Sequence, residues 1–198
     1  MKYIIGMTGP TGAGKSSASK VARELGFKVI DCDRFARVAV EKGSEGLVAT
    51  VKAFGEDILN SDGTLDRKAL AKKAFSTKEN TELLNKTLLP YVVDLVNREI
   101  ANDSLVLLDA PTLFEGGVDS ICDSTFAVLC DKRLRKKRIM ERDGLSEEEA
   151  DLRMNAGKSD EFYKQKTQNI IYNDCEISVF CEEIKKLLNN LMGGKQNV

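Results

Sequence analysis

Short apolar runs rich in β-branched residues recur along the chain at Tyr3 to Thr8, Lys28 to Cys32, Leu105 to Asp109, Thr125 to Cys130 and Asn169 to Tyr172. Amphipathic segments of helical period separate them. Five strands alternating with helices predict an α/β protein with a five-stranded parallel sheet flanked by helices. The spacing is uneven, because about 70 residues, most of helical pattern, lie between the second run and the third. An α-helical insertion accounts for that gap.

Within the insertion, Phe54-Gly55 closes one helical pattern and Ser61-Asp62-Gly63 signals a turn. Helices are predicted from about Arg67 to Phe75, from Lys78 to Leu89, and after Pro90 to Ala101. Pro90 is taken as the boundary because proline is tolerated in a first helical turn. A second helical excursion lies between Asp131 and Thr167. Its middle helix starts at Ser146, where Ser146 and Glu149 have the spacing of a capping box. The last helix runs from about Ser178 to Leu191 and stops at Gly193-Gly194, leaving a loose polar tail.

At about 150 residues per domain, a chain of 198 residues makes one domain, or one domain with an insertion. Thirty basic residues balance 31 acidic ones for a net charge of −1, which argues against a dedicated nucleic-acid binder. The absence of histidine removes Ser-His-Asp and Cys-His nucleophile pairs, His-ligated metals and histidine pH switching. Catalysis must then run on carboxylates, lysine, arginine or a metal held by oxygen. The cysteines, Cys32, Cys122, Cys130, Cys175 and Cys181, are odd in number and contain no C-x-x-C pair, so buried thiols are expected. Met1-Lys2 leads into an apolar run too short for a signal-peptide core, and no stretch approaches membrane-spanning length. A cytoplasmic protein with reduced thiols is expected, with no membrane partner.

Residues 9 to 16 read GPTGAGKS and match G-x-x-x-x-G-K-[ST] at every fixed position, between a strand and an amphipathic helix. Each residue type has its own reason. Gly9, Gly12 and Gly14 let the backbone bend so that successive N–H groups point at phosphate oxygens. The helix adds its positive end. Lys15 brings a mobile charge to the β and γ phosphates, and the Ser16 hydroxyl can ligate Mg²⁺.

Asp31 and Asp33 end the second strand, where open α/β sheets bind ligands, and strand alternation points them the same way. One of them could take a proton from a substrate hydroxyl during phosphoryl transfer, or Asp33 could simply cap the next helix. Asp109 closes the third strand where a phosphate-loop enzyme keeps an acid for Mg²⁺, or it caps the strand end. Glu115 follows, as a group in the same crevice or as a loop charge. Along the helix after Asp131, Arg135, Arg138 and Arg142 fall within about 60° of one another at 100° per residue. That face suits phosphate on a mobile lid, though a solvated basic face or a nucleic-acid patch would read alike.

Taken together, these residues resemble the dephospho-coenzyme A kinases from about Ile4 to Asp174. Besides the phosphate loop, the matching pieces are VIDCD at 29 to 33, FG at 54 and 55, DGTLDR at 62 to 67, LDAPTLFE at 108 to 115, RIMERDGLS at 138 to 146, and Asn173. The resemblance implies a P-loop kinase fold with a core of about 1–40, 104–135 and 168–198, an acceptor-binding helical insertion of about 41–103, and a helical lid of about 136–167. It implies transfer of the ATP γ-phosphoryl group to the 3′-hydroxyl of dephospho-CoA, with Mg²⁺ on Ser16 and Asp109. Catalysis would fall to Asp33 as base with Lys15, Arg138 and Arg142. ATP would be held by Gly9, Pro10, Thr11, Gly12, Ala13, Gly14, Lys15, Ser16, Ser17 and Asn173. The acceptor would meet Asp33, Arg67, Leu89, Pro90, Phe114 and Glu115. ATP and dephospho-CoA are the implied partners, and a monomer is expected.

The chain departs from the family's pattern in three places: Leu89-Pro90 stands where His-Pro is usual, Gly157 replaces a lid glutamine, and Thr167-Gln168 replaces Ala-Asp. Losing the histidine removes a donor and an acceptor, and one good hydrogen bond is worth about 0.5 to 1.5 kcal/mol. Other readings are a P-loop kinase of nucleoside monophosphates or sugar acids, and a nucleotide-binding switch or ATPase. Against a GTPase, the only Asn-Lys pair, Asn85-Lys86, is followed by Thr87-Leu88 and not by x-Asp.

Overall fold

The computed structural model describes residues 2–167 and 169–193. Five strands, β1 (Tyr3–Thr8), β2 (Lys28–Asp31), β3 (Leu105–Asp109), β4 (Ser124–Leu129) and β5 (Ile170–Tyr172), form a parallel sheet of order β2-β3-β1-β4-β5. In the register, Ile5 lies beside Leu107 and Met7 beside Phe126. Between and after the strands run α1 (Lys15–Glu24), α2 (Cys32–Val38), α3 (Glu45–Phe54), α4 (Arg67–Ala74), α5 (Lys78–Glu99), α6 (Lys132–Asp143), α7 (Glu147–Asn155), α8 (Asp160–Lys166) and α9 (Ile177–Gly193). Among the described residues, no helix is long and apolar enough to cross a membrane.

The chain divides into two compact units. The first, residues 1–30, 103–111 and 122–198, carries the sheet. Strand alternation sends Ile5, Met7, Phe126 and Val128 to one face, where they pack with Ala18, Val21 and Ala22 of α1 and Phe180, Ile184 and Leu188 of α9. On the other face Ala127 and Leu129 meet Tyr163 of α8. Both faces of β4 are therefore dry, which explains why its sequence reads as a continuous apolar run. The passage from α8 to β5 is pinned by Thr167, whose hydroxyl donates to the Thr125 carbonyl at 2.8 Å. The threonine at one departure from the family pattern thus has a structural task, while its neighbour Gln168 lies outside the described residues, as do Gly194 and the polar tail.

The second unit, residues 31–102 and 112–121, is helical. Its core gathers Phe54, Ile58, Leu70, Ala74 and Leu84. The turn at Ser61-Asp62-Gly63 forms as expected: Asp62 Oδ1 accepts from the Thr64 N–H at 2.9 Å, and Leu59 bridges Leu65 in antiparallel fashion.

Pro90 does not break the chain there. One 22-residue helix, α5, runs through it, in place of the two helices expected. An interior proline costs about 3 kcal/mol, because it has no N–H for the fourth preceding carbonyl and crowds it. Packing outweighs that cost: Leu84, Leu88, Val92 and Val96 recur every four residues on one face, and α2, α3 and α4 pack against α5. The second strand also ends earlier than expected. Asp31 Oδ1 accepts from the N–H groups of Asp33 and Arg34 at 3.0 and 3.3 Å, so a helix starts at Cys32. Strand alternation therefore stops before Asp33, which lies in the first turn of α2, and no longer sets the direction of its side chain.

Candidate active site

The loop between β1 and α1 arches through three glycines with positive φ: Gly9 at 140°, Gly12 at 78° and Gly14 at 107°. Close approach forbids a side chain at each. A Cβ on Gly9 would overlap the Val128 carbonyl, one on Gly12 would lie 2.8 Å from Ile139 Cγ1, and one on Gly14 would overlap the Asn173 amide. Loop, sheet and α6 therefore meet with no room for a methyl group.

The loop delivers the chain into α1 at Gly14, which has no side chain to cap the helix, and the first turn carries no acid. Each helix from α2 to α8 is capped by its own side chain, from Asp31, Ser44, Asp66, Thr77, Asp131, Ser146 and Ser159 in turn. Only at α1 does this series leave the helix's positive end to be met by something other than a side-chain cap. Lys15 Nζ donates to the loop's carbonyls at Gly9 and Pro10, at 2.7 and 3.2 Å. Ser16 is exposed, whereas Pro10 and Ala13 are buried.

Asp109 reaches the same helix. Its Oδ2 accepts from the Ser19 hydroxyl at 2.8 Å, and Ser19 stands one turn beyond Ser16 on α1. The sequence signal for Ser19 is its i+3 spacing from Ser16, which puts both hydroxyls on one side of α1.

The three arginines of α6 have separate surroundings. Arg135 is 4% exposed and its Nη1 pairs with Asp160 of α8 at 3.1 Å, so it is a buried structural cation. Arg138 Nη1 donates to Cys130 Sγ at 3.2 Å and to the Asn173 carbonyl at 3.1 Å. Arg142 holds Asp143 through Nε and Nη2, both at 2.8 Å, and Arg153 of α7 approaches Asp143 at 2.9 Å. The hydrogen bond from Arg142 holds the Asp143 carboxyl below the ordinary carboxylate value. Burial pushes the Cys130 thiol up to about 11. The expectation of uniformly buried thiols fails at Cys175, which is exposed, and Cys122 and Cys181 are half-buried; no disulfide joins any of the five.

In the helical unit, Asp31 takes the cap of α2, so the Asp33 carboxylate is not needed for that purpose. Asp33 instead lines a cavity of about 280 Å³ together with Arg37, Arg67 and the apolar Leu65, Phe75 and Leu84. Two sequence-predicted acceptor residues, Asp33 and Arg67, thus share one concavity, and Arg37, four residues after Asp33 on α2, joins them. Leu89, Pro90, Phe114 and Glu115 are not in its lining. Leu89 packs on Gly117, where a Cβ would sit 3.0 Å from Leu89 Cδ2, and the Glu115 carbonyl accepts from Asn85 Nδ2 at 2.7 Å.

A sheet of order 2-3-1-4-5 whose first strand feeds a glycine arch into an uncapped helix is the fold of the P-loop kinases, enzymes that move phosphoryl groups. A solved shikimate kinase from Acinetobacter baumannii shares it, with a TM-score of 0.57 and 14% identity over 98% of this chain and 96% of that one. A Thermus thermophilus crystal structure is nearer, at TM-score 0.76 and 31% identity, covering 96% of this chain and 98% of that one. The family model for dephospho-CoA kinase matches residues 3–178. A dephospho-CoA kinase of Pseudoalteromonas translucida is 38% identical over 182 residues, 89% of this chain and 85% of its own. The chain belongs to the dephospho-CoA kinase family.

Proposed function

We propose that this kinase transfers the γ-phosphoryl group of ATP to the 3′-hydroxyl of dephospho-CoA, giving coenzyme A and ADP, the last step of coenzyme A synthesis. The observation that carries the donor half is the glycine arch delivering the chain into the uncapped start of α1. Residues 9–17 seat the phosphates there through backbone N–H groups, and Lys15 exchanges the carbonyls of Gly9 and Pro10 for β- and γ-phosphate oxygens.

Mg²⁺ fits the donor set. Ser16 and Asp109 would supply hard oxygen ligands, and Ser19 fastens Asp109 to α1 one turn beyond Ser16. Among the described residues no group of three or more Cys, Asp and Glu is placed to hold a metal, and Mg²⁺ in such enzymes needs none, since phosphates and water fill its remaining positions. When bound, the ion neutralises phosphate charge and fixes its geometry.

Asp33 accepts the proton of the attacking ribose hydroxyl as the new O–P bond forms and the bond to ADP breaks. Arg138 and Arg142 neutralise charge on the transferring oxygens, with residues of about 136–167 acting as the lid. The cavity holding Asp33, Arg37 and Arg67 beside an apolar wall suits an acceptor that combines phosphates with a long, partly apolar arm. Leu89, Pro90, Phe114 and Glu115 complete the acceptor surface in this reading. The reading places the enzyme in the cytoplasm as a monomer, in keeping with thiols that form no disulfide.

The test is ATP consumption with and without dephospho-CoA, followed by mass detection of the product. Acceptor-dependent ADP release and a product heavier by one phosphoryl group support the proposal. An equal rate without acceptor, or preferential use of a nucleoside monophosphate or gluconate, refutes it.

A further inference from the structure

Asn173 follows β5 and is 3% exposed. Its Nδ2 donates to the Ala13 carbonyl of the phosphate loop at 2.9 Å. Its Oδ1 accepts from Arg138 Nη2 at 3.4 Å, and its backbone carbonyl accepts from Arg138 Nη1 at 3.1 Å. Its own N–H is tied to the Leu129 carbonyl of β4 at 2.9 Å. The loop offers it an acceptor and the guanidinium offers it only donors, so the position calls for a head group with one of each. An amide meets both demands in a single orientation, because the flipped form would set oxygen against carbonyl and NH₂ against guanidinium. Gly14 presses on the same amide, where any Cβ would overlap it.

The loop and α6 also touch directly. A Cβ on Gly12 would fall 2.9 Å from Arg135 Cγ and 2.8 Å from Ile139 Cγ1. Arg138 lies between those two residues in sequence, on the same helix. The loop therefore bears on α6 at Gly12 and, through the amide, on Arg138.

We infer that Asn173 is a positioning residue that couples the phosphate loop to Arg138, fixing where the guanidinium stands relative to the phosphates, and is not a reader of the nucleotide base. The inference rests on the proposed placement of phosphates at the loop and at Arg138. Its two hydrogen-bonding atoms carry separable consequences: the oxygen orients Arg138 and acts on the transfer step, whereas the NH₂ shapes the loop and acts on ATP binding.

Asn173→Ala, Asn173→Asp, Arg138→Ala and the double variant Arg138→Ala/Asn173→Ala test this with kcat, ATP KM, ATP binding by calorimetry, the ATP-to-GTP preference and thermal melting. Asn173→Ala should lower kcat by about tenfold or more, and the double variant should be no slower than Arg138→Ala within about threefold. Asn173→Asp keeps an acceptor for Arg138 but turns an oxygen on Ala13, so its kcat should stay within about threefold while KM for ATP rises by about tenfold. That split also guards against a folding defect in the alanine variant. Multiplying effects in the double variant, or an intact kcat in Asn173→Ala with a changed ATP-to-GTP preference, overturns the coupling. A wild-type kcat in Arg138→Ala overturns the placement of Arg138 itself, and the coupling with it.

Discussion

Replacing Asp160 by alanine should expose how much the first unit depends on its buried cation. Arg135 is 4% exposed, its Nη1 pairs with Asp160 at 3.1 Å, and its Nε finds no partner among the described residues. Removing one member of a buried pair strands the other charge, which costs about 3 to 5 kcal/mol. The Asp160 side chain is 19% exposed, so water can reach part of the space it leaves, and the lower end of that range is expected. For a chain of this size about 3 kcal/mol corresponds to a fall in Tm of about 6 to 12 °C. Circular dichroism melting of four proteins decides it: wild type, Asp160→Ala, Arg135→Met and Arg135→Met/Asp160→Ala. The double variant, with an unbranched apolar stem in place of the cation and no stranded charge, should regain most of the loss. A Tm for Asp160→Ala within about 2 °C of wild type, or a double variant worse than Asp160→Ala alone, would refute the reasoning.

Lys15→Ala should leave melting close to wild type and reduce ATP turnover to below about 1%, read by coupled ADP release. Asp33→Asn should lower kcat by about tenfold or more while ATP affinity changes by less than about twofold; full kcat would remove Asp33 from the role of base. The Asp143 carboxyl is held below its ordinary value chiefly by Arg142. Its contribution to stability is therefore present above the unfolded carboxylate pKa and lost as pH falls through the lowered folded one. The Tm gap between wild type and Asp143→Asn should be constant above about pH 5 and close below about pH 4. With its thiol pushed up to about 11, Cys130 should stay unlabelled by iodoacetamide at pH 8 in the native protein while exposed Cys175 reacts first, as peptide mass mapping will read.

Much of the proposed donor site is legible in the sequence because its backbone geometry is local. The arch of residues 9–16 needs only short-range geometry, so glycine spacing and a following helix announce it. The capping box at Ser146 and Glu149 is legible for the same reason, both of its hydrogen bonds closing within four residues. The arginines of α6 show where this stops. Helical spacing correctly groups Arg135, Arg138 and Arg142 by angle, yet one is buried against Asp160, one is held by Asn173 and Cys130, and one grips its neighbour Asp143. Those partners come from other elements or depend on rotamers, which periodicity does not encode. Asp31 and Asp33 show the reverse case: capping is a local preference either could satisfy, and the chain's exit from the sheet chose Asp31.

The sequence by itself determined the strands and the helices between them, and the glycine arch with its lysine and serine, because each follows from backbone constraints and periodicity acting within a few residues. Only the tertiary structure decided that α5 runs straight through Pro90, that Arg135 is sealed inside, and that one amide joins Ala13 to Arg138. The reason is that burial and hydrogen-bond pairing are made between segments distant in sequence. Summed over several partners, their energies reach a few kcal/mol, enough to override the local preference of a single residue.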